Sequence, residues 1–196
     1  MSEQDSGSGL AGVRYGRLNR IADRRGSFAE LWRTSTFGEI GPDAAGRPDA
    51  RFVQANLSSS ARGVLRGLHY HCRQLDYWTV VGGRALIALV DVRPVIADPS
   101  ARALVETREL SEGETVTIPT GVAHGFLALE PLQLLYLVTN EHDGSDELGF
   151  AWDDPAVGVP WPLVPGTPDG RPILSARDIS NPTLVQLVER LRGGRT

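Results

Sequence analysis

The sequence predicts an all-β fold, an antiparallel sandwich or barrel followed by one short C-terminal helix. Short segments of alternating apolar residues, rich in β-branched and aromatic side chains, recur between turn signals, which is typical of such sheets. The predicted strands cover residues 28–33, 52–57, 77–81, 85–92, 115–118 and 132–139. Gly82-Gly83 and Asp98-Pro99 supply the turn chemistry that separates two of these segments from the next.

The C-terminal stretch predicts a helix over residues 182–191. Asn181 is suited to cap this helix, and Pro182 is suited to its first position. The apolar residues form one stripe at helical spacing: Leu184, Leu187, Val188 and Leu191. We therefore expect the helix to pack on the outside of the barrel.

The length of 196 residues favours a single domain over 1–196, with a core at about 12–180 and disorder over residues 1–9. The formal net charge is −4, and the sequence contains no basic run of the kind that follows a phosphate backbone. Nucleic acid is therefore not an expected partner.

The first residues lack the cationic and apolar regions of a secretory signal, and no later window is long and apolar enough to span a bilayer. The single cysteine, Cys72, has no partner for an internal disulfide, in agreement with a reducing compartment. We expect a cytoplasmic protein without a membrane partner.

Two histidine-containing stretches reproduce the spacing of the two cupin motifs. The first runs from Gly63 through His69 and His71 to Gly83, and includes Asp76 where most metal cupins have Glu; the second ends at His124. Residues two apart in a strand face the same side, so His69 and His71 are expected to point into the barrel together. With Asp76 and His124 they could hold a divalent metal. The alternative is that some of these histidines, His71 above all, are hydrogen-bonded core residues.

Many further stretches match one family in the right order, over 23–28, 52–58, 64–70, 90–93, 118–126, 135–136, 152–155, 161–162 and 174–178. Over about residues 23–183 the chain resembles the dTDP-4-dehydrorhamnose 3,5-epimerase family. The resemblance implies a cupin-type jelly-roll barrel and an isomerase of deoxysugar biosynthesis, such as rhamnose synthesis. Its implied substrate is a dTDP-linked 4-keto-6-deoxy sugar that is epimerised at C3, C5 or both.

The chemistry of such an epimerase requires two groups on opposite faces of the sugar. The C4 ketone acidifies the protons at C3 and C5, so a base removes one and an acid returns it on the other face. The resemblance implies that His69 is the base, that Asp178 hydrogen-bonds it, and that Tyr136 delivers the proton. It also implies that Arg66 and His124 line the pocket, where a cation or donor would stabilise the enolate oxygen.

The resemblance also implies how the nucleotide is bound. Four residues match positions that contact the thymidine diphosphate: Arg25, Phe28, Gln54 and Asn56. Arg25 suits a phosphate, and Phe28 suits stacking near the base. Family members are dimers in which an N-terminal segment completes the neighbour's site, which implies a homodimer with Arg25 or Phe28 reaching the partner's pocket.

The chain departs from the family at a lysine that helps to stabilise the enolate, because Asp76 takes its place. A bare carboxylate there would repel the enolate. Arg66, Arg73 or Arg84 could supply the missing charge, and no cofactor would then be needed. Alternatively, a metal on His69, His71, Asp76 and His124 acts as the Lewis acid, or the site binds the sugar nucleotide without turnover. The family usually has Gln at the position of His71, so the histidine found here favours the metal-binding alternative.

Overall fold

The computed structural model describes residues 4–5, 7–37 and 51–193. Two antiparallel sheets face each other, which confirms the predicted jelly-roll architecture. One sheet has six strands, in the order β1 (Gln4–Asp5), β2 (Arg14–Arg17), β10 (Glu114–Ile118), β7 (Asp76–Gly82), β12 (Leu132–Val138) and β5 (Gln54–Ser60). The other has five, in the order β13 (Leu148–Gly149), β6 (Leu65–Tyr70), β11 (Val122–Ala128), β8 (Arg84–Asp91) and β9 (Leu104–Ser111).

Within the described part of the chain, a separate hairpin and four short helices lie around these two sheets. The hairpin pairs β3 (Arg20–Asp23) with β4 (Gly26–Ala29). The helices are α1 (Thr34–Phe37), α2 (Arg93–Ala97), α3 (Ala176–Ile179) and α4 (Leu184–Gly193), with a 3-10 turn at Pro168–Gly170. None of the helices in the described ranges is long and apolar enough to cross a membrane.

Apolar side chains cover both faces of the five-stranded sheet. On β8, Ile87 and Leu89 lie in the core between the two sheets, whereas Ala88 and Val90 pack on the opposite face with Ile96 of α2 and with α4. The near-continuous apolar sequence of β8 follows from this, because a strand buried on both faces has no solvent side to make polar. Helix α4 therefore packs outside the barrel, as predicted.

The start of α4 differs from the prediction. The helix begins at Leu184, and its first turn is closed by Thr183 and Gln186 rather than by Asn181. The Thr183 N–H donates to the Gln186 side chain at 2.9 Å, and the Gln186 N–H donates to the Thr183 hydroxyl at 3.3 Å. This reciprocal capping box satisfies two N–H groups at once, which a cap at Asn181 would not do.

The N-terminal part of the chain also differs from the prediction. Residues 1–3 and 6 lie outside the described residues, but Gln4–Asp5 forms a strand paired with β2, and the Gly9 N–H donates to the Glu106 carboxylate at 2.8 Å. The predicted disorder over residues 1–9 stays a prediction. The predicted strand at 28–33 differs from the structure, since β4 covers Gly26–Ala29.

Two glycines allow β6 and β11 to approach closely beside the histidines. His69 and His124 are direct cross-strand partners, and the register shifts immediately after His124. A Cβ atom on Gly125 would lie 2.8 Å from the Arg66 carbonyl oxygen and 3.1 Å from the Cα of Gly67. A side chain at position 125 would push the strands apart, so glycine here helps to set the spacing of His69 and His124.

Candidate active site

A cavity of about 410 Å³ opens between the two sheets. Its size is in the range of small-molecule sites. Its walls include most of the predicted site residues: Gln54, Asn56, Arg66, His69, His71, Asp76, His124 and Tyr136. The expectation that the three histidines face inward together is therefore confirmed. His71 does so although it follows the last residue of β6.

His69 and Asp178 form a hydrogen-bonded pair. The His69 Nε2 atom lies 2.8 Å from the Asp178 Oδ1 atom. Asp178 is itself fixed at the start of α3, where the Ser175 hydroxyl donates to Oδ2 at 2.7 Å and accepts from the Asp178 N–H at 3.1 Å. Burial alone would raise the pKa of Asp178, but the hydrogen bonds from His69 and Ser175 outweigh it and lower the pKa.

The pair defines which nitrogen of His69 can act as a base. An ionised carboxylate only accepts, so Nε2 carries the proton that is shared with Asp178, and Nδ1 carries the lone pair. The side chain of His69 is 26% exposed and faces the cavity, whereas that of Asp178 is only 4% exposed. This arrangement orients the ring, and the carboxylate stabilises the imidazolium that forms when Nδ1 takes a proton.

Tyr136 lies on the opposite wall of the cavity from His69. It belongs to β12 of the six-stranded sheet, between Asn56 of β5 and Trp78 of β7, whereas His69 belongs to the five-stranded sheet. Burial raises the pKa of the Tyr136 phenol, the charge of Asp76 raises it further, and Arg66 acts in the opposite direction. The phenol is therefore protonated at neutral pH and can donate a proton.

Asp76 is hydrogen-bonded by neutral groups rather than bare. It is buried, its Oδ1 accepts from the Gln74 amide at 2.8 Å, and its Oδ2 accepts from the Trp78 indole N–H at 3.0 Å. The Nε2 atom of His124 lies 3.7 Å from the same Oδ2. These donors leave the negative charge of the carboxylate in place at the cavity wall.

His124 lines the cavity as expected, but it does not carry a positive charge at neutral pH. Burial lowers the pKa of His124 to about 4, although the charge of Asp76 acts in the opposite direction. Its Nδ1–H donates to the Val122 carbonyl at 3.1 Å. The ring is therefore neutral at neutral pH, and its N–H is already used.

The four residues considered as possible metal ligands do not all converge. Across the described ranges, the His, Cys, Asp and Glu side chains that converge are His71, Asp76 and His124, with possible ligand atoms all within 4.8 Å of one another. His69 is not part of this group, and its Nε2 is hydrogen-bonded to Asp178. The candidate base and the candidate metal ligands are therefore different residues.

Only one of the three arginines considered as a replacement for the family lysine lines the cavity. Arg66 does so, and its Nε donates to the Ser60 hydroxyl at 3.1 Å. Arg84 pairs with Glu109 and Glu130 elsewhere on the surface, at 2.7 and 3.1 Å. Arg73 donates to the Ser145 hydroxyl at 2.7 Å and is not part of the cavity wall. Of the three alternatives, the position of Arg66 therefore favours it over Arg73 and Arg84.

The four residues expected to bind the nucleotide fall into two groups. Gln54 and Asn56 line the cavity and hydrogen-bond each other at 2.8 Å. Arg25 and Phe28 lie on the β3–β4 hairpin and do not line the cavity of their own chain. Arg25 is fully exposed and paired with Asp23, and Phe28 is 68% exposed. Their predicted role in a partner's pocket stays a prediction.

Two groups of residues around the cavity were not predicted from the sequence. Gln74 and Trp78 hold Asp76. Strand periodicity indicates Trp78, which is two positions after Asp76 on β7, but not Gln74, which precedes that strand. Arg177 and Glu147 also line the cavity and pair at 2.8 Å. Nothing in the local sequence indicates that pair.

Asp146 organises the loop that follows His69. Its carboxylate accepts the N–H groups of Cys72, Arg73 and Gln74 at 2.7, 2.9 and 3.3 Å, and its carbonyl oxygen lies 2.6 Å from the His71 Nδ1 atom. One buried carboxylate therefore holds the main chain of the loop between His71 and Asp76. Cys72 itself is exposed and does not line the cavity.

Asp146→Ala should lower the free energy of unfolding by about 2–4 kcal/mol, because three loop N–H groups lose a charged acceptor. Urea unfolding measures this change. Asp143→Ala is the matched control, since Asp143 is an exposed aspartate of the same segment that accepts from Ser145; it should change the value by less than about 0.5 kcal/mol. Equal losses in the two variants would contradict this role of Asp146.

Comparisons with known proteins agree on one family. A family model described as dTDP-4-dehydrorhamnose 3,5-epimerase matches residues 8–186. An enzyme of that name from Pseudomonas aeruginosa is 38% identical over 162 residues, covering 81% of this chain and 83% of the relative. Another from Neisseria gonorrhoeae is 34% identical over 85% of this chain, but the chain spans about half, 48%, of that relative.

A solved structure with the same fold is similar over nearly the whole chain. It is NovW, a 4-keto-6-deoxy sugar epimerase from the novobiocin biosynthetic gene cluster of Streptomyces spheroides. The two superpose with a TM-score of 0.79 and 30% sequence identity, covering 98% of this chain and 92% of NovW. The likeness extends from the barrel to the α3 and α4 region that carries Asp178.

Proposed function

Since the chain belongs to the dTDP-4-dehydrorhamnose 3,5-epimerase family, we propose that it epimerises C3, C5 or both of a dTDP-linked 4-keto-6-deoxy sugar in deoxysugar biosynthesis. His69 is the base, Asp178 orients it, and Tyr136 is the acid. The observation that carries the proposal is the placement of a His–Asp pair and a protonated tyrosine on opposite walls of one cavity.

The proposed reaction moves one proton off one face of the sugar and another onto the opposite face. The His69 Nδ1 takes the proton from the carbon next to the ketone, and the electron pair of the C–H bond passes to the C4 oxygen as an enolate. The Tyr136 hydroxyl then protonates the same carbon from the other side. The tyrosinate and the imidazolium return to their starting states by exchange with solvent.

Arg66 is the proposed cation of the pocket. It lies on the same strand as His69 and lines the cavity, and its side chain donates to a hydroxyl rather than to a carboxylate. A guanidinium in this position can donate to the enolate oxygen or to a phosphate of the nucleotide. Arg177 also lines the cavity, but Glu147 neutralises its charge.

The nucleotide is proposed to extend along β5, past Gln54 and Asn56, towards the hairpin of a second copy of the chain. Exposed apolar side chains on and next to the hairpin support a homodimer: Ile21, Phe28 and Trp32 are 65%, 68% and 39% exposed. An isolated two-stranded hairpin is marginally stable in water, so a partner surface is needed to bury these side chains. Arg25 and Phe28 would then contact the diphosphate and the base in the partner's site.

Mixing two inactive variants tests the shared site. If Arg25 serves the partner's pocket, Arg25→Ala and His69→Ala should each be strongly impaired, yet a subunit-exchanged mixture should regain roughly a quarter of wild-type activity. The regained fraction comes from heterodimers, in which one of the two sites carries neither substitution. No recovery in a mixture that light scattering shows to be dimeric and exchanged would contradict the shared site.

The activity is tested by following the sugar directly. Purified protein is incubated with a dTDP-4-keto-6-deoxyhexose, and the ring proton couplings are read by NMR over time. We expect inverted couplings at C3, C5 or both. A sugar nucleotide that binds, as measured by calorimetry, but keeps its couplings would show a binding protein without epimerase activity.

A further inference from the structure

Three buried side chains at the cavity wall have no part in the proposed proton transfers. His71, Asp76 and His124 are 6%, 3% and 4% exposed, and their possible ligand atoms all lie within 4.8 Å of one another. They come from the loop after β6, from the start of β7 and from β11, so both sheets contribute.

The hydrogen bonds of the two imidazoles fix where their lone pairs lie. The Nδ1 atom of His71 is 2.6 Å from the Asp146 carbonyl oxygen, and that of His124 is 3.1 Å from the Val122 carbonyl oxygen. A carbonyl oxygen only accepts, so both Nδ1 atoms carry hydrogen, and in a neutral ring Nε2 carries the lone pair. An N–H bond to a backbone carbonyl is the usual support of a metal-binding histidine.

The third member of the group adds a negative charge. The donors to Asp76 are the Gln74 amide and the Trp78 indole N–H, which are both neutral. The Oδ2 atom lies 3.7 Å from His124 Nε2. Two lone pairs and one carboxylate therefore converge in a buried place, which is unfavourable unless a cation lies between them.

We propose that His71, Asp76 and His124 together bind one divalent transition-metal ion. Two imidazoles and one carboxylate, with further positions open, suit Zn²⁺ and related ions. Bonds of about 2.0–2.2 Å in a tetrahedral site place ligand atoms about 3.3–3.6 Å apart. The ligand atoms of this group, which lie within 4.8 Å of one another, therefore approach by at most about 1.5 Å when they close around an ion.

The proposed ion would add a positive charge to the proposed epimerase site, and its catalytic role rests on that proposed function. Its positive charge would offset Asp76, which otherwise repels a developing enolate, and it would do so without occupying His69. The base keeps its bond to Asp178. Metal binding itself is independent of whether the chain is an epimerase.

The four histidines of the chain provide a matched set for the test. Protein carrying Cys72→Ser, to remove the thiol as a ligand, is stripped with chelator, dialysed and titrated with Co²⁺ and then Zn²⁺. We expect one ion per chain, visible Co²⁺ absorption bands, and displacement by Zn²⁺ in calorimetry. His71→Ala and Asp76→Asn should each weaken binding at least about 100-fold, whereas His69→Ala and His142→Ala should leave it within about threefold of the parent.

Circular dichroism and thermal unfolding identify a variant that loses binding because it does not fold. If His71→Ala does not fold, the nearly isosteric Asp76→Asn still tests the site. Uptake of neither ion at micromolar concentration would overturn the proposal, as would an equal loss of binding in His142→Ala. The same samples are assayed for exchange of sugar protons with solvent. Metal binding without exchange of sugar protons would refute the epimerase activity. Exchange of sugar protons by protein that takes up neither ion would refute the metal site and leave the epimerase activity standing.

Discussion

His69→Ala should abolish the exchange of sugar protons with solvent at both C3 and C5, with a loss of at least about 10³-fold. Removing the imidazole removes the proposed base, and Asp178 is then a buried carboxylate behind the cavity wall. Deuterium uptake into the sugar, followed by mass spectrometry, measures the loss. Asp178→Asn keeps the ring but removes the charge that stabilises the imidazolium, so a smaller loss of roughly 10²-fold is expected.

His69→Ala also shows whether His69 acts as a base or as a metal ligand. Added Zn²⁺ should not restore exchange to His69→Ala, because His69 lies outside the group of His71, Asp76 and His124. Exchange within tenfold of wild type in a folded His69→Ala would contradict its role as the base. Rescue of that variant by metal would instead make His69 a ligand.

Tyr136→Phe should separate proton removal from inversion. The base on the five-stranded sheet still forms the enolate, but the Tyr136 hydroxyl is no longer present on the opposite wall to protonate it. We expect exchange within about tenfold of wild type and inversion reduced by about 10²–10³-fold. The measurement compares deuterium uptake with the ring couplings of the same sample.

The configuration of the labelled carbon shows from which face of the sugar the deuteron was returned. In Tyr136→Phe the label should enter with the configuration of the substrate retained, since His69 returns a proton to the face from which it took one. Parallel loss of exchange and inversion would mean that Tyr136 is needed for proton removal as well. Retention of both would place the acid elsewhere in the cavity.

The strands that the sequence predicted best are those with buried faces. The segments at 77–81, 85–92 and 132–139 lie within one residue of β7, β8 and β12 at each end, because alternation or a continuous apolar run marks strands that pack in the core. The β9 strand at Leu104–Ser111 was not predicted; it is an edge strand whose Leu104 and Val105 are 49% and 36% exposed, and it is held by main-chain pairing with β8. The β11 strand at Val122–Ala128 was not predicted either, although it is buried along its whole length.

The site could be predicted only in part without the structure. His69 and Asp178 are 109 positions apart, so their contact followed from the family resemblance and not from any local pattern. Strand periodicity could have grouped Asp76 with Trp78, since both belong to β7. The contacts of Asp146 could not have been found, because one loop carboxylate meets N–H groups more than 70 positions away.

The most direct test of the proposed epimerisation is the incubation of wild-type protein with a dTDP-4-keto-6-deoxyhexose in deuterated water. We expect one deuterium at C3, at C5 or at each, together with inverted ring couplings at the labelled carbon. Calorimetric binding of the sugar nucleotide with no gain in mass at either carbon would contradict it.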